Sequence, residues 1–268
     1  MGGALQGIRA LVTRPAGQAG PLVAAIRAGG GEAAEFPLLE IVALDAQASA
    51  AIDETLDRLD TFDAAIFIST NAVRALLARL ADGARTWPAR LPCFAIGRAT
   101  AQALREAGIA CESAAAAMDS EALLAHPALA AVADRRIVIF KGVGGRELLA
   151  RHLAERGATV TECALYRRRL PGTASREALQ ALLQERAINV VLLSSAEALA
   201  NLLGLPGADA AGTIPADLAL VTAGERVAAQ ARDAGFIAVE PAANATDAAM
   251  LAALQRLAAT IRRRVHTT

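Results

Sequence analysis

Aromatic residues, lysine and cysteine are all scarce in this chain of 268 residues. Aromatic side chains make up 3% of it, lysine occurs once, at Lys141, and 27 basic residues balance 27 acidic ones. Proteins that bind nucleic acids usually carry a basic surplus, so this charge balance disfavours such a function. No nucleic-acid partner is expected.

Cysteine and histidine are too scattered to form the usual frameworks. Cys93, Cys111 and Cys163 show no CxxC spacing, which disfavours a set of disulfides. The three histidines form no HxxxH or HExxH pattern, so no metal site is predicted. Apolar runs stop well short of the roughly 18 residues that a membrane helix needs, and residues 1–15 lack the apolar stretch of a signal peptide. We expect a cytoplasmic protein with no membrane segment.

Short apolar runs alternate with amphipathic segments along the chain. Such runs, flanked by helices, are typical of parallel sheets that are covered on both faces. The predicted strands are 9–13, 63–68, 92–96, 136–140, 189–193, 217–221 and 236–240, and the predicted helices include 17–28, 71–81, 98–107, 145–156, 195–203, 224–233 and 246–260. The predicted fold class is therefore α/β.

The chain also repeats itself at a nearly constant spacing. Segment 9–36 resembles 136–163, and segment 95–109 resembles 222–236, both at a shift of 127 residues. Two similar α/β units of about 125 residues each would explain this register. The alternative is that all strand–helix–strand segments look alike in an alanine-rich chain.

Two segments fit neither the helical nor the buried-strand pattern. They are the first connector, 37–44, and the second connector, 164–172, and they occupy equivalent places in the repeat. Both are interpreted as extended and partly exposed. A protein of two units needs crossings between them, and these segments are the candidates.

Most predicted strands lead into a helix through a short turn that is polar or rich in glycine. Side chains there can cap the helix, and the free N–H groups at a helix start also bind anions. Capping alone explains any single turn, but six such turns, several with Arg or Lys, favour an acidic ligand at the carboxyl ends of the strands. The turns begin at Thr13, Ser69, Gly97, Lys141, Ser194 and Thr222.

Familiar nucleotide-binding and catalytic motifs are missing. The glycines at 142–145 do not complete GxGxxG, because Glu147 stands at the last glycine position, and neither GxxxxGK[ST] nor GxSxG occurs. An enzyme without a nucleophile–base pair would act through binding shape, backbone donors and one proton donor. Tyr166, the only tyrosine, lies in the second connector, where a packing role is the alternative to a chemical one.

Seven short segments occur in an order and spacing that together are fairly specific. They are LVTRP at 11–15, ISTNAV at 68–73, AIGRATAQALREAG at 95–108, SEALL at 120–124, KGVGGRELL at 141–149, LYRRRLP at 165–171 and SSAEALANL at 194–202. With them the chain resembles the uroporphyrinogen-III synthase family from Ala10 to about Ala259.

The resemblance implies two flavodoxin-like α/β domains with parallel sheets, joined by a two-stranded connector. One domain would combine 1–37 with 170–268, and the other would hold 38–169. The repeat alone would place a boundary near residue 130 instead.

The implied reaction is the cyclisation of hydroxymethylbilane to uroporphyrinogen III, with loss of water and inversion of ring D, in haem and other tetrapyrrole biosynthesis. The protein would be a lyase, a monomer that needs no cofactor and acts on this small-molecule substrate. Because unassisted closure gives the other isomer, catalysis would come from holding the substrate in the inverting geometry, with help from one proton donor. The alternatives are an inactive paralogue and a non-enzymatic two-lobe protein that binds an acidic ligand.

The resemblance also assigns roles to residues. Tyr166 matches the family's tyrosine, the candidate proton donor to the departing hydroxide. Val227 stands where the family often has threonine, so a hydroxyl role at that position is in doubt. The positions that match substrate-binding turns or basic sites are Arg14, Ser69, Thr70, Asn71, Gly97, Thr100, Lys141, Gly142, Arg146, Ser194, Ser195, Thr222 and Gly224.

Overall fold

The backbone forms two compact units. The computed structural model describes residues 3–113, 120–144, 147–207, 214–215 and 218–265. The first unit comprises Met1–Glu40 and Arg169–Thr268, and the second unit comprises Ile41–Arg168. The second unit is therefore one continuous stretch that separates two pieces of the first along the chain.

Strands and helices alternate in both units. The strands are β1 (Arg9–Val12), β2 (Glu32–Glu35), β3 (Glu40–Val42), β4 (Ala64–Phe67), β5 (Cys93–Ala95), β6 (Glu112–Ser113), β7 (Arg136–Gly142), β8 (Thr159–Arg169), β9 (Val190–Leu193), β10 (Ala219–Ala223) and β11 (Val239–Ala242). The α-helices are α1 (Gly20–Ala28), α2 (Ala46–Leu56), α3 (Thr70–Asp82), α4 (Arg98–Glu106), α5 (Ser120–Leu124), α6 (Leu148–Glu155), α7 (Arg176–Glu185), α8 (Ala196–Leu203), α9 (Glu225–Asp233) and α10 (Asp247–Val265). Among the described helices, none is both long and apolar enough to cross a membrane.

The sheet of the first unit is parallel, with the strand order β11-β10-β9-β1-β2. Counted within the unit, this is the 2-1-3-4-5 order of flavodoxin-like folds. Strand β1 pairs Val12 with Glu35 of β2 and with Leu192 of β9. The order of strands reverses at β1, between β2 and β9.

Helices cover both faces of this sheet. Leu22 of α1 and Leu254 of α10 are buried in one apolar cluster together with Val12. Leu199 of α8 and Val227 of α9 are buried in a second cluster together with Leu11. Successive residues of a strand point to opposite faces, so strands between two helical layers must be apolar at every position. This explains the uninterrupted apolar runs in the sequence.

The sheet of the second unit has the order β3-β8-β7-β4-β5-β6, and the pairs from β8 to β6 are parallel. Counting from β7 gives the 2-1-3-4-5 order again. In the sequence repeat, β7 and β8 correspond to β1 and β2, yet they come last in this unit rather than first. The second unit is thus a circularly permuted version of the first. Its core includes Phe67 and Phe140, whose rings stack with centroids 4.8 Å apart.

The predicted α/β class, with two parallel-sheet units, is confirmed, and a strand overlaps each of the predicted strands. The last one lies at Val239–Ala242 rather than at 236–240, because Phe236 packs into the core beside α9. Its Pro241 is tolerated since β11 is an edge strand. The two extended connectors contain β3 and the end of β8, which are neighbours in one sheet.

Candidate active site

In the second unit, polar residues gather where neighbouring strands end. Ser69 follows β4, and Gly142 and Tyr166 pair near the carboxyl ends of β7 and β8. From β4 the chain moves outward through β5 and β6 and then returns to β7 on the other side of β4. Ligands of open α/β sheets bind at such a reversal of strand order. The carboxyl ends of β4 and β7 therefore form the candidate active site of this unit.

Tyr166 is buried at this edge and its hydroxyl has a defined partner. The residue is 3% exposed, and its phenol oxygen lies 3.0 Å from the hydroxyl oxygen of Ser69. Its carbonyl accepts the N–H of Val143 at 2.8 Å. Tyr166 is thus held by hydrogen bonds at its backbone carbonyl and at its side-chain hydroxyl.

A register shift between β7 and β8 changes the direction of the Tyr166 side chain. Lys141 pairs with Ala164, whereas Gly142 pairs with Tyr166, so Leu165 is an extra residue on β8. Bulges of this kind bend a strand and redirect a side chain. Consecutive residues of a regular strand face opposite sides, yet Leu165 and Tyr166 are both buried in one apolar cluster.

Gly142 leaves the space that the tyrosine ring occupies. A Cβ atom at this position would lie 2.7 Å from both the Cε2 and Cζ atoms of Tyr166, which is closer than non-bonded carbon atoms approach. The glycine is therefore required by the packing of the ring. A role for Gly142 in substrate binding stays a prediction.

Lys141 is engaged by an acidic partner that the sequence analysis did not single out. Its Nζ lies 2.6 Å from Oε1 of Glu162, and the lysine side chain is 8% exposed. Glu162 is on β8, which pairs with β7, and in the repeat it corresponds to Glu35. Only the pairing of β7 with β8 could have indicated that Glu162 lies beside Lys141. A substrate carboxylate would have to compete with Glu162 for this cation.

Two helix starts of the second unit present backbone donors at the same sheet edge. Ser69 caps α3 by accepting the N–H of Ala72 at 3.1 Å, and the half-buried Thr70 and Asn71 form the first turn of that helix. Gly97 precedes α4 with φ +83° and ψ 146°, and no side chain caps this helix. Thr100, in the first turn of α4, is 4% exposed.

The remaining predicted residues lie in the first unit, again after neighbouring strands. Arg14 follows β1, where it forms an ion pair with Asp247 and donates to the carbonyl of Ala245 at 2.7 Å. Ser194 follows β9, and Ser195 caps α8 by accepting the N–H of Ala198 at 3.0 Å. The positive charge of Arg14 is thus already balanced within its own unit.

The turn after β10 resembles the turn after β5. Thr222 is fully buried, and its hydroxyl donates to the carbonyl of Gly224 at 3.4 Å. Gly224 starts α9 with φ +95° and ψ 162°, and no side chain caps it. Val227 packs in the core beneath this turn and is 3% exposed, so threonine's hydroxyl is replaced here by a buried methyl group.

The predicted residues therefore form one group in each unit. Ser69, Thr70, Asn71, Gly97, Thr100, Lys141, Gly142 and Tyr166 belong to the second unit, and Arg14, Ser194, Ser195, Thr222 and Gly224 belong to the first. Arg146 lies outside the described residues. That both groups act on one ligand stays a prediction. Within the described part of the chain, no cluster of three or more His, Cys, Asp or Glu residues could hold a metal ion.

Solved structures of similar fold support this architecture. A mutant uroporphyrinogen III synthase from Thermus thermophilus superposes with a TM-score of 0.59 at 18% identity, over 97% of this chain and 100% of the other. A uroporphyrinogen-III synthetase from Helicobacter pylori superposes with a TM-score of 0.58 at 15% identity, over 95% of this chain and 99% of the other. At such identities the likeness shows the fold: a protein of two doubly wound α/β units.

Sequence comparison identifies the family within that class. Residues 20–252 match the family model described as uroporphyrinogen-III synthase HemD. The uroporphyrinogen-III synthases of Salmonella typhimurium and Escherichia coli are each 35% identical over 250 residues, which is 91% of this chain and 99% of theirs. The chain belongs to the uroporphyrinogen-III synthase family.

Proposed function

We propose that this protein is a lyase that cyclises hydroxymethylbilane to uroporphyrinogen III in tetrapyrrole biosynthesis, with loss of water and inversion of ring D. The observation that carries the proposal is its family membership over residues 20–252, together with 35% identity to two enzymes of that name. An inactive paralogue is disfavoured because the tyrosine of the second unit is present and is hydrogen-bonded at a strand-order reversal.

The substrate's acetate and propionate groups would bind mainly to backbone donors. The first turns of α4 and α9 start at glycine and have no side-chain cap, so their N–H groups are free of a capping side chain and can donate hydrogen bonds to carboxylates. Lys141 and Arg14 hold acidic partners within the protein. We therefore assign them to shaping the turns around the substrate rather than to binding its carboxylates directly.

Tyr166 would supply the proton for the leaving group. As the C–O bond of the hydroxymethyl group breaks, its electron pair stays on the oxygen, which takes the phenol proton and leaves as water. Ring D attacks the azafulvenium-like cation that remains, and this forms a spiro intermediate. The spiro intermediate then fragments, and the macrocycle closes with ring D inverted. The proton that ring D loses in the final closure restores the phenol.

We further propose that the enzyme is a cytoplasmic monomer with no nucleic-acid partner. Three free thiols, at Cys93, Cys111 and Cys163, suit a reducing compartment. Among the described residues, the exposed large apolar side chains are Val143, Leu203 and Ile237, which is little for a stable interface between copies. The zero net charge disfavours general binding to nucleic acid.

The test is the isomer that forms from hydroxymethylbilane. We expect the protein to yield uroporphyrinogen III, measured by chromatography of the oxidised products, whereas a reaction without protein yields the type I isomer. Product should also raise the melting temperature, since a ligand that binds only the folded state stabilises it. Formation of type I alone at high protein concentration would contradict the proposal.

A further inference from the structure

The hydroxyl of Ser69 makes two hydrogen bonds of different kinds. It accepts the backbone N–H of Ala72 at 3.1 Å, which caps α3, and it shares a hydrogen bond with the Tyr166 hydroxyl at 3.0 Å. A serine hydroxyl can accept two hydrogen bonds and donate one, so both contacts can exist together. Capping requires only the first.

Comparable caps in this chain do their work without a tyrosine. Ser195 accepts the N–H of Ala198 at 3.0 Å, and Ser175 accepts the N–H of Ala178 at 3.2 Å. Ser195 follows β9, the strand of the first unit that corresponds to β4, yet Leu39 stands at the repeat position equivalent to Tyr166. The serine–tyrosine pair therefore belongs to the second unit alone and is not part of the capping motif.

The tyrosine ring is also fixed from the side of β7. The register shift after Lys141 places Tyr166 opposite Gly142, where the missing Cβ gives the ring its space. The ring can then approach Ser69 only in a narrow range of orientations. Ser69 defines where in that range the hydroxyl lies.

We propose that Ser69 is a positioning residue for proton transfer: its hydroxyl fixes the phenol of Tyr166 and directs the phenol's proton toward the substrate. This inference rests on the proposed function above. The Ala72 N–H occupies one acceptor site of Ser69 at the positive end of α3. The Ser69 O–H donates to the phenol oxygen, which leaves the phenol proton for the departing hydroxyl. Once that proton has left, the same bond stabilises the phenolate.

The kinetic test compares Ser69→Ala with Ser175→Ala, which removes an equivalent cap outside the site. Both should lower the melting temperature, because each loses one helix cap, and Ser69→Ala should lower it further because it also loses the hydrogen bond to Tyr166. Only Ser69→Ala should lower kcat, by about tenfold, with KM changed less than twofold; a 1 Å misplacement of a reacting group can cost roughly 10²-fold. Ser69→Thr, which keeps the hydroxyl, should recover most of the loss.

A double-mutant cycle separates this role from direct contact with the substrate. In a Tyr166→Phe background, Ser69→Ala should change kcat by no more than about twofold, since coupled residues are not additive. An equal loss of kcat in both backgrounds would overturn the proposal, as would equal kcat for Ser69→Ala and Ser175→Ala. If Tyr166→Phe itself has parental kcat, the tyrosine's assignment fails while the cyclisation of hydroxymethylbilane stands.

A measurement without substrate checks the contact itself. Tyr166 is the only tyrosine, so protein carrying tyrosine labelled with ¹³C at Cζ gives one resonance, whose position responds to hydrogen bonding of the phenol. We expect Ser69→Ala to shift this resonance and Ser175→Ala to leave it in place. An unchanged resonance in folded Ser69→Ala protein would overturn the proposal regardless of catalytic activity.

Discussion

At the scale of single residues, Tyr166 combines burial, a hydroxyl partner and a place at the reversal of strand order. Replacing it with phenylalanine keeps the ring and removes the proton. We expect kcat for uroporphyrinogen III formation to fall by roughly 10²–10⁴, the usual effect of a general acid. Activity should not vanish, because orientation of the substrate by backbone donors survives.

The control for Tyr166→Phe is to measure whether the variant still binds product and still folds. Product should raise the melting temperature of the variant as it does for the parent, since the backbone donors are untouched. The variant should lose only about 1 kcal/mol of stability with the hydrogen bond to Ser69. A rate within about twofold of the parent would mean that the tyrosine is a packing residue.

The buried thiol of Cys163 should make the stability of the protein depend on pH. Burial raises the pKa of its thiol to about 12, although a hydrogen bond with Thr55 and the charge of Arg79 lower it in part. The unfolded thiol titrates near about 8.5, so above that pH the unfolded state binds fewer protons than the folded one. The stability that this difference contributes is complete below about pH 8.5 and is lost as the pH rises toward 12.

The measurement is the urea midpoint at neutral pH and at about pH 10. Between these values the parent should lose about 2 kcal/mol more of its unfolding free energy than Cys163→Ala does. Both proteins contain the buried Cys93, whose pKa is also raised by burial, so that contribution cancels in the comparison. Equal losses in the two proteins would show that Cys163 ionises as easily folded as unfolded.

At the scale of elements, two helices begin at glycines in a backbone conformation that other residues rarely adopt. Gly97 and Gly224 have φ of +83° and +95° with extended ψ, and side chains in this region cost about 1–3 kcal/mol. We expect Gly97→Ala and Gly224→Ala to lower the melting temperature. Gly20→Ala, at the start of α1 with open space around it and without positive φ, should have little effect.

The two glycine variants should also act alike, because the turns are equivalent in the repeat. Each turn leads into a helix without a side-chain cap at the carboxyl end of a parallel strand. Gly97 follows β5 and Gly224 follows β10. If either variant were as stable as Gly20→Ala, the positive φ would not be required at that turn. Circular dichroism during heating provides the comparison.

Which elements could be predicted depended on where their side chains lie. β4, whose four residues are all buried, was evident as an apolar run. β2 has the sequence EAAE with exposed ends and lies at a sheet edge, so hydrophobicity did not predict it. The candidate site followed the same rule: the turns after buried strands were predicted, but Glu162 and the Ser69–Tyr166 contact depend on pairing between distant strands.

At the scale of the whole molecule, the repeat and the units divide the chain differently. The repeat joins β1 and β2 to β4–β6, and β7 and β8 to β9–β11. In the structure β1 pairs with β9, and β4 pairs with β7. Local sequence does not decide between these partners, because equivalent strands of two similar halves offer nearly the same apolar surface. Only the family resemblance favoured the interleaved arrangement.

The apolar cores show where the chain can be divided without breaking a packed cluster. Each of the four buried clusters draws its residues from a single unit. A cut near residue 130 would separate β4 from β7 and remove Phe140 from its stack on Phe67. It would equally separate β1 from β9. A cut at the boundaries of the second unit breaks no cluster.

We therefore expect a fragment of residues 41–168 to fold alone, whereas fragment 1–130 does not. Trp87, the only tryptophan, packs near Phe67 with ring centroids 5.8 Å apart, so its fluorescence reports the core of the second unit in both fragments. Fragment 41–168 should unfold in one cooperative urea transition, as small domains do, because it retains β4–β8 and both of their apolar clusters. Fragment 1–130 holds β1 and β2 without β9, and β4–β6 without β7, so its fluorescence should change gradually and without a midpoint. Should the two fragments behave alike, the second unit would not be an independent domain, and its stability would depend on the rest of the chain.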